Sequence, residues 1–313
     1  MINEKNTKKK FSIERFKKWM PLYLMMLPGA LYLIINNYIP MFGIIIAFKK
    51  IDFSIGIIAS EWIGLRNFEF LFATQDALVI TRNTLLYNTA FIIINTLLGI
   101  VFAILICDII NKKLKKIYQS AILFPFLMSM VIIGYIVFAF LSMQHGILNR
   151  TVLPFLGRDP IFWYNDPNHW PFILIFVNAW RGIGYGCLIY IAAINGIDPT
   201  FFEAAELDGA GKLKQIWHIT LPFIIPSLVI LTMLSIGRIF YSDFGLFYQV
   251  PRNSGMLFST TNVIDTYVYR GLMEQNNIGM SSAAGVYQSL VGFILVLTAN
   301  MIVRKISKDK ALF

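Results

Sequence analysis

The chain has 313 residues, 57% of them hydrophobic and 14% charged, whereas soluble domains average about 45–50% apolar and about 25% charged residues. That composition excludes an ordinary soluble enzyme and points to a multi-pass membrane protein, in keeping with a mean hydropathy of +0.65. The formal charge of +10 is dispersed between apolar runs rather than arrayed on one surface, which argues against a nucleic-acid partner, and Cys107 and Cys187 lie inside apolar runs with no disulfide or metal-ligand spacing.

A bilayer core of about 30 Å needs about 20 mostly apolar helical residues, and six segments reach that length. Ahead of them, "FSIERFKKWM" (residues 11–20) puts Ile13, Phe16 and Met20 on one helical face. This suits either a short helix in the membrane interface, with Trp19 at headgroup depth, or a disordered basic tail. The first span is Leu22–Ala47. It carries Pro28, Asn36, Asn37 and Pro40 and lacks a small-residue cleavage site, so it reads as an uncleaved span rather than a signal peptide. After a long loop, about Phe48–Thr84, come the second span, Leu85–Ile110, and the third, Ile117–Met143, in which Pro125 predicts a bend. The next loop, Gln144–Pro171, contains "GRDPIFWYNDPNHWP", a mixture of aromatics and turn formers that fits either an external protein contact or a cap on the bundle. The fourth span is Phe172–Ile194, the fifth Leu221–Phe240 and the sixth Ala283–Val303, with a loop Tyr241–Ser282 between the last two.

Lysine and arginine set the expected orientation. They crowd the N-terminus (Lys5, Lys8, Lys9, Lys10, Arg15, Lys17, Lys18), the second-to-third loop (Lys112, Lys113, Lys115, Lys116), the fourth-to-fifth loop (Lys212, Lys214) and the C-terminus (Arg304, Lys305, Lys308, Lys310). If six helices alternate, all of these share one side, which the positive-inside rule makes cytoplasmic. Lys49 and Lys50 fall on the other side. The expected fold is therefore an all-α membrane protein: six transmembrane helices, both termini cytoplasmic, and a cytoplasmic helix between helices 4 and 5. Its divisions are residues 1–20, a basic tail and interfacial helix; 21–306, one membrane domain; and 307–313, a C-terminal tail.

The fourth-to-fifth loop is read from its punctuation. Asp198 suits an N-cap and Pro199 the first helical position, with Thr200 and Glu203 as an alternative capping box. The helix runs to about Asp208. Gly209 and Gly211 end or bend it through positive φ, and a second short helix, about Lys212–Ile219, leads to Pro222 at the head of the next span. Glu203, Glu206 and Asp208 make this corner acidic, and Ala204 and Ala205 allow another surface to approach closely. "GAGK" is not a phosphate loop, which requires G-x-x-x-x-G-K-[ST]: Glu206 stands five before Gly211, and Leu213 follows Lys212.

From Glu203 the row reads E-A-A, three residues, Gly209, nine residues, Ile219, one residue, Leu221, Pro222. This resembles the E-A-A loop of permease subunits of binding-protein-dependent ABC importers. "WIGLRNFEFLF", "NTLLYN" and "NVIDTYVYRGL" extend the likeness to the maltose-type carbohydrate superfamily, nearest the complex-carbohydrate and lipoprotein-type permeases. The resemblance implies that the loop forms a coupling helix seated on an ATPase. Glu203, Ala204, Ala205, Glu206, Asp208 and Gly209 would be its contacts, with Gly211, Ile219, Leu221 and Pro222 shaping it. It also implies a multi-pass cell-membrane protein without catalytic residues, metal or cofactor of its own, ATP and magnesium being used by the partner. The expected partners are a second homologous permease, two ATPase subunits, an extracytoplasmic solute-binding protein, membrane lipids and a carbohydrate.

Charged groups inside spans are costly and usually face the bundle interior or water. Asn178, Trp180, Arg181 and Tyr185 offer the aromatic faces and planar polar groups that sugars need, although 178, 181 and 185 align and 180 is offset. Arg181 fits a pathway role or an ion pair between helices, with Asp243 as a partner if the outer ends of the spans converge. Arg238 fits snorkelling or ligand contact. Two other readings stand beside carbohydrate import: an ABC permease for a peptide, amino acid or anion, and a self-sufficient secondary transporter, whose paired interrupted spans are not seen. An intramembrane enzyme is disfavoured, because His145, His169 and His218 are scattered and no acid–base pair or metal motif accompanies them.

Overall fold

The structure, a computed structural model, describes residues 13–69 and 75–306. The basic tail before residue 13 and the C-terminal tail 307–313 lie outside those residues. Helix α1, Ile13–Leu33, runs without interruption into the first span, so among the described residues no separate interfacial helix precedes it. That span, Lys18–Phe48, is almost wholly exposed along its length. A small antiparallel hairpin follows, β1 (Lys49–Lys50) against β2 (Glu61–Trp62). Lys49 is buried there and donates its ammonium to the Ile57 and Ile58 carbonyls.

The remaining main helices are α2 (Gln75–Cys107), α3 (Lys112–Leu127), α4 (Met130–Leu141), α5 (Trp170–Asn195), α6 (Pro199–Leu207), α7 (Lys212–Ile236), α8 (Phe244–Gln249), α9 (Ile264–Met273) and α10 (Ile278–Ile306). Five single helices among the described residues are long and apolar enough to cross a membrane, and the count reaches six when α3 and α4 are taken as one broken span. Their axes meet at 97°. The expected single third span is thus a corner, and the break falls at Met128–Ser129, one turn after Pro125. Both residues there are extended, and the Ser129 hydroxyl accepts the Ile132 N–H to start α4.

Pro40 and Pro222 in spans and Pro154 in the loop before α5 share a device that Pro28, Pro125 and Pro226, which sit inside ordinary helix, do not use. The chain widens into a turn with an i→i+5 hydrogen bond two residues before Pro40, Pro154 and Pro222, where the N–H groups of Ile39, Leu153 and Leu221 reach Ile34, Leu148 and Ile216. A proline ring clashes with the carbonyl four residues back and supplies no N–H; the wider turn accommodates both defects and keeps the helix going. This corrects the expectation at Pro222, where the second short helix does not stop. Lys212–Ile236 is continuous, and the fifth span ends at Ile236 rather than Phe240.

Helix α5 is the spine. Its first half (Trp170, Leu174, Val177) packs with Tyr87 and Phe91 of α2, Ile133 of α4 and Leu246 and Phe247 of α8. Its second half (Cys187, Tyr190, Ile191) packs with Ile100, Ala103 and Ile106 of α2 and Ile224 of α7. Gly184 lets α3 press against it: a Cβ there would stand 2.2 Å from the Ile122 carbonyl oxygen. Small residues at such crossings let backbones approach closely where dispersion must replace the hydrophobic drive.

Candidate functional site: a projecting corner and a polar seam

The loop after α5 folds into a tight corner. The Asp198 carboxylate accepts the Thr200 N–H at 2.9 Å and the Thr200 hydroxyl at 2.8 Å, so Asp198 is the cap and the alternative Thr200–Glu203 box is not used. The accepted N–H holds the Asp198 carboxyl below its usual range. At the other end Gly209 takes φ 74°, the Gly209 N–H bonds Glu206 and the Ala210 N–H bonds Ala205. This paired closure is the Schellman pattern, in which a left-handed glycine satisfies orphan carbonyls. Gly211 does not share that role. Its φ of −67° is an ordinary extended value, and it starts α7 with its carbonyl accepting the Gln215 N–H.

Glu203, Ala204, Glu206, Asp208 and Gly209 are exposed on this corner, and Ala205 is half-buried. Beside them stand exposed apolar side chains, Leu207 at 91%, Leu213 at 73% and Trp217 at 67%, so the acidic tip is also sticky. Ile219 and Leu221 are half-buried, Leu221 against the Tyr190 cluster, while Pro222 is exposed. Lys212 reaches Asp108 at the end of α2, 2.9 Å away, a tie the sequence reading missed.

Between the two apolar halves of α5 lies a polar seam. Asn95 of α2 donates to Asn178 at 2.8 Å, and Arg181 donates to Asp243 at 2.9 Å. The Arg181 guanidinium lies 5.7 Å from the Phe126 ring, which stacks on Tyr185 at 5.2 Å and 19°. Among the described residues, the buried Asn95 Oδ1 and Arg181 Nε have no hydrogen-bond partner. An unsatisfied buried polar atom costs about 1–3 kcal/mol. Trp180 turns away, lining an all-apolar hollow with Phe140 and Phe176. Arg238 is exposed two residues beyond α7, its guanidinium in no hydrogen bond or ion pair among the described residues. Asn95 and Phe126 escaped the sequence reading; the signal available was a lone amide inside an apolar run and an aromatic beside Pro125.

A family model described as binding-protein-dependent transport system inner membrane component matches residues 95–308. The chain belongs to that family. It is 36% identical over 92% of its length, and 89% of the other's, to the polygalacturonan/rhamnogalacturonan transport system permease protein YteP of Bacillus subtilis. The fold matches the crystal structure of a bacterial ABC transporter involved in the import of the acidic polysaccharide alginate, with TM-score 0.86, 30% identity, and 94% of this chain and 98% of that one covered. A second structure, of an alginate ABC transporter in complex with alginate pentasaccharide-bound periplasmic protein, aligns with TM-score 0.85 and 29% identity over 94% and 98%. The chain is thus a multi-pass membrane permease rather than an enzyme.

In this permease the far ends of the spans are tied by polar contacts. Arg270 is buried, its guanidinium 4.1 Å from the Phe258 ring, donating to Asn253 at 2.8 Å and to Asn262. Asn83 of α2 donates to the Asn262 carbonyl at 3.0 Å. Asp265 accepts the Ser242 N–H at 2.7 Å and the Gln288 amide at 3.2 Å. Burial pushes its carboxyl up, and those two donors oppose the rise only in part. The "NTLLYN" and "NVIDTYVYRGL" motifs, which sit far apart in sequence, are therefore one joint: each supplies groups the other would leave unpaired.

Proposed function

We propose that this permease is one of two homologous membrane subunits of an ATP-driven importer that moves an acidic oligosaccharide inward by alternating access. The observation that carries the reading is the projecting corner Asp198–Gly211. A capped helix and a left-handed glycine make it stiff, and exposed carboxylates and apolar side chains give another protein something to grip. Two ATPase subunits would supply the force, with ATP and magnesium bound there and no cofactor held by this chain. A contact can bias a two-state membrane bundle only through differential contact in the two states, which a stiff corner can deliver and a floppy loop cannot.

Both termini and the corner are assigned to the ATPase side, as the distribution of lysine and arginine supports. The membrane domain is assigned to 21–306, with 1–20 and 307–313 as tails. The seam residues Asn178, Arg181, Tyr185 and Asp243, with Asn95 and Phe126, would line the route, and Trp180 and Arg238 would lie outside it. The substrate class follows from the relatives, since YteP is named for polygalacturonan and rhamnogalacturonan transport and the structural neighbour for alginate import. An extracytoplasmic binding protein would deliver it, as the neighbour's complex with a pentasaccharide-bound periplasmic protein supports.

The test is uptake by the complex in proteoliposomes, reconstituted with its second permease, ATPase and binding protein. ATP-dependent accumulation of trigalacturonate but not of a tripeptide is expected. Accumulation of the tripeptide, or uptake by this subunit alone on an ion gradient, would overturn the reading.

A further inference from the structure

Away from the seam, α4 and α8 enclose a cleft of about 230 Å³ walled by Gly134, Tyr135, Tyr248, Gln249, Arg252 and Asn253. Its position is fixed by contacts to the start of α5: Ser254 and Thr260 hydroxyls donate to the Tyr164 and Pro167 carbonyls, and the Tyr164 hydroxyl to Val250. The coupling corner begins at the other end of α5, whose 26 residues span about 39 Å at about 1.5 Å each. The cleft therefore opens at the end of the permease remote from the corner.

We infer that this cleft is a binding site for one uronate ring of an acidic oligosaccharide, at the mouth through which the chain enters. The inference rests on the carbohydrate-importer reading and extends it to a second site.

The frame is rigid. A Cβ at Gly134 would lie 2.8 Å from the Gln249 carbonyl oxygen, so the backbones of α4 and α8 are in contact and only glycine fits between them. Within that frame Arg252 and Asn253 both hold left-handed backbone, φ 57° and 46°. A Cβ makes that conformation costly, and such strain gathers at ligand clamps and switches. Here it sets the Arg252 guanidinium 4.2 Å from the Phe138 ring and 6.0 Å from that of Tyr135. Asn253 is tied from the other side, accepting from Arg270 at 2.8 Å and donating to Glu274 at 3.4 Å.

The chemistry then selects the ligand. Arg252 is exposed, and no carboxylate among the described residues lies within 4.0 Å of it. A guanidinium held near aromatic rings keeps an in-plane fork of donors that matches a carboxylate with two bonds. Tyr135, which is exposed, offers aromatic surface for the apolar side of a sugar ring, Tyr248 lines the cleft with one face stacked on Phe244 at 5.0 Å, and the Gln249 amide, with no side-chain hydrogen bond among the described residues, is available to a hydroxyl. Arg270 behind the site is offset by Glu274 and Asp76, so the charge that faces the cleft is that of Arg252. The volume is below the about 300–1,000 Å³ of pockets that take a whole ligand, so the cleft accepts one ring of a longer chain.

The experiment measures trigalacturonate and its methyl ester by equilibrium dialysis against the purified full complex, without binding protein. Arg252→Gln is expected to weaken trigalacturonate about tenfold and leave the ester unchanged, with Arg252→Lys intermediate. Because Arg252 is exposed, folding should survive; Tyr135→Leu provides a second variant and should weaken both sugars. Equal effects of Arg252→Gln on both sugars, or none, would overturn the site while leaving wild-type sugar uptake and the importer reading intact. If the wild-type complex neither binds nor imports either sugar, the importer reading fails and takes the site with it. The dialysis is repeated with the complex in vesicles with and without phosphatidylglycerol; if the Arg252→Gln defect appears only with that lipid and affects both sugars alike, the cleft holds a lipid headgroup and the inference is wrong.

Discussion

Arg181 and Asp243 are 62 positions apart in sequence and 2.9 Å apart in space. Asp243 also caps α8 by accepting the Leu246 N–H at 3.1 Å, so one carboxylate fastens the start of α8 to the middle of α5. Asp243→Asn keeps a capping oxygen and removes the charge. With side chains 26% and 35% exposed, the lone Arg181 left behind should cost about 1–2 kcal/mol, less than a fully buried orphan. Thermal unfolding of the detergent-solubilised complex measures this. A cycle with Arg181→Gln should return a coupling of about 1 kcal/mol; strict additivity of the two variants would show that the pair contributes nothing.

Gly209 sits at φ 74° in the turn that closes α6, with no atom within 4 Å of a built Cβ. Gly209→Ala should therefore act through backbone strain alone, about 1–2 kcal/mol, and loosen the corner without disturbing the bundle. Expected results are normal membrane insertion and substrate-stimulated ATPase activity reduced several-fold in the assembled complex. Glu203→Ala should reduce stimulation with no change in fold, since its side chain is exposed. Unchanged stimulation in both variants would remove the corner from the coupling role.

The Asp198 cap makes the corner acid-sensitive. Its carboxyl titrates below the usual value because it accepts the Thr200 N–H and hydroxyl. A depressed folded-state pKa contributes stability that is present above the unfolded value of about 3.9 and is lost as pH falls through the folded one. Hydrogen exchange at the amides of Thr200 to Glu203, corrected for intrinsic rates, should stay constant from neutral pH down to about 4 and accelerate below it. Asp198→Ala should exchange fast throughout, with no step.

Gly184 faces the Ile122 carbonyl with no room for a methyl group. Gly184→Ala should push α3 from α5 and cost about 1–3 kcal/mol as an overpacked crossing. Gly186, two positions on, has nothing within 4 Å, so Gly186→Ala is the matched control and should unfold at or slightly above the wild-type temperature, since alanine is the better helix former. Equal melting of the two variants would disprove the close crossing.

Much of this permease was written locally. Span lengths, the basic flanks, the Asp198 cap and the Gly209 turn each depend on neighbours a few residues away, through hydrophobic length, a side chain reaching the next N–H, or one backbone angle. Periodicity also separated Trp180 from Asn178, Arg181 and Tyr185, because helical spacing alone fixes faces. Hydropathy could not see the corner at Met128–Ser129, since "FPFLMSMVII" is apolar on both sides of the break and direction leaves no trace in composition. Nor could it see that α6's neighbour runs on through Pro222, because a proline reads as a stop unless the turn before it widens. The Asn95–Asn178 and Arg181–Asp243 contacts and the Arg252 cleft were decided only when α2, α4, α5 and α8 packed. Each joins groups whose partners come from other helices, and a polar side chain alone in an apolar run cannot say what will face it.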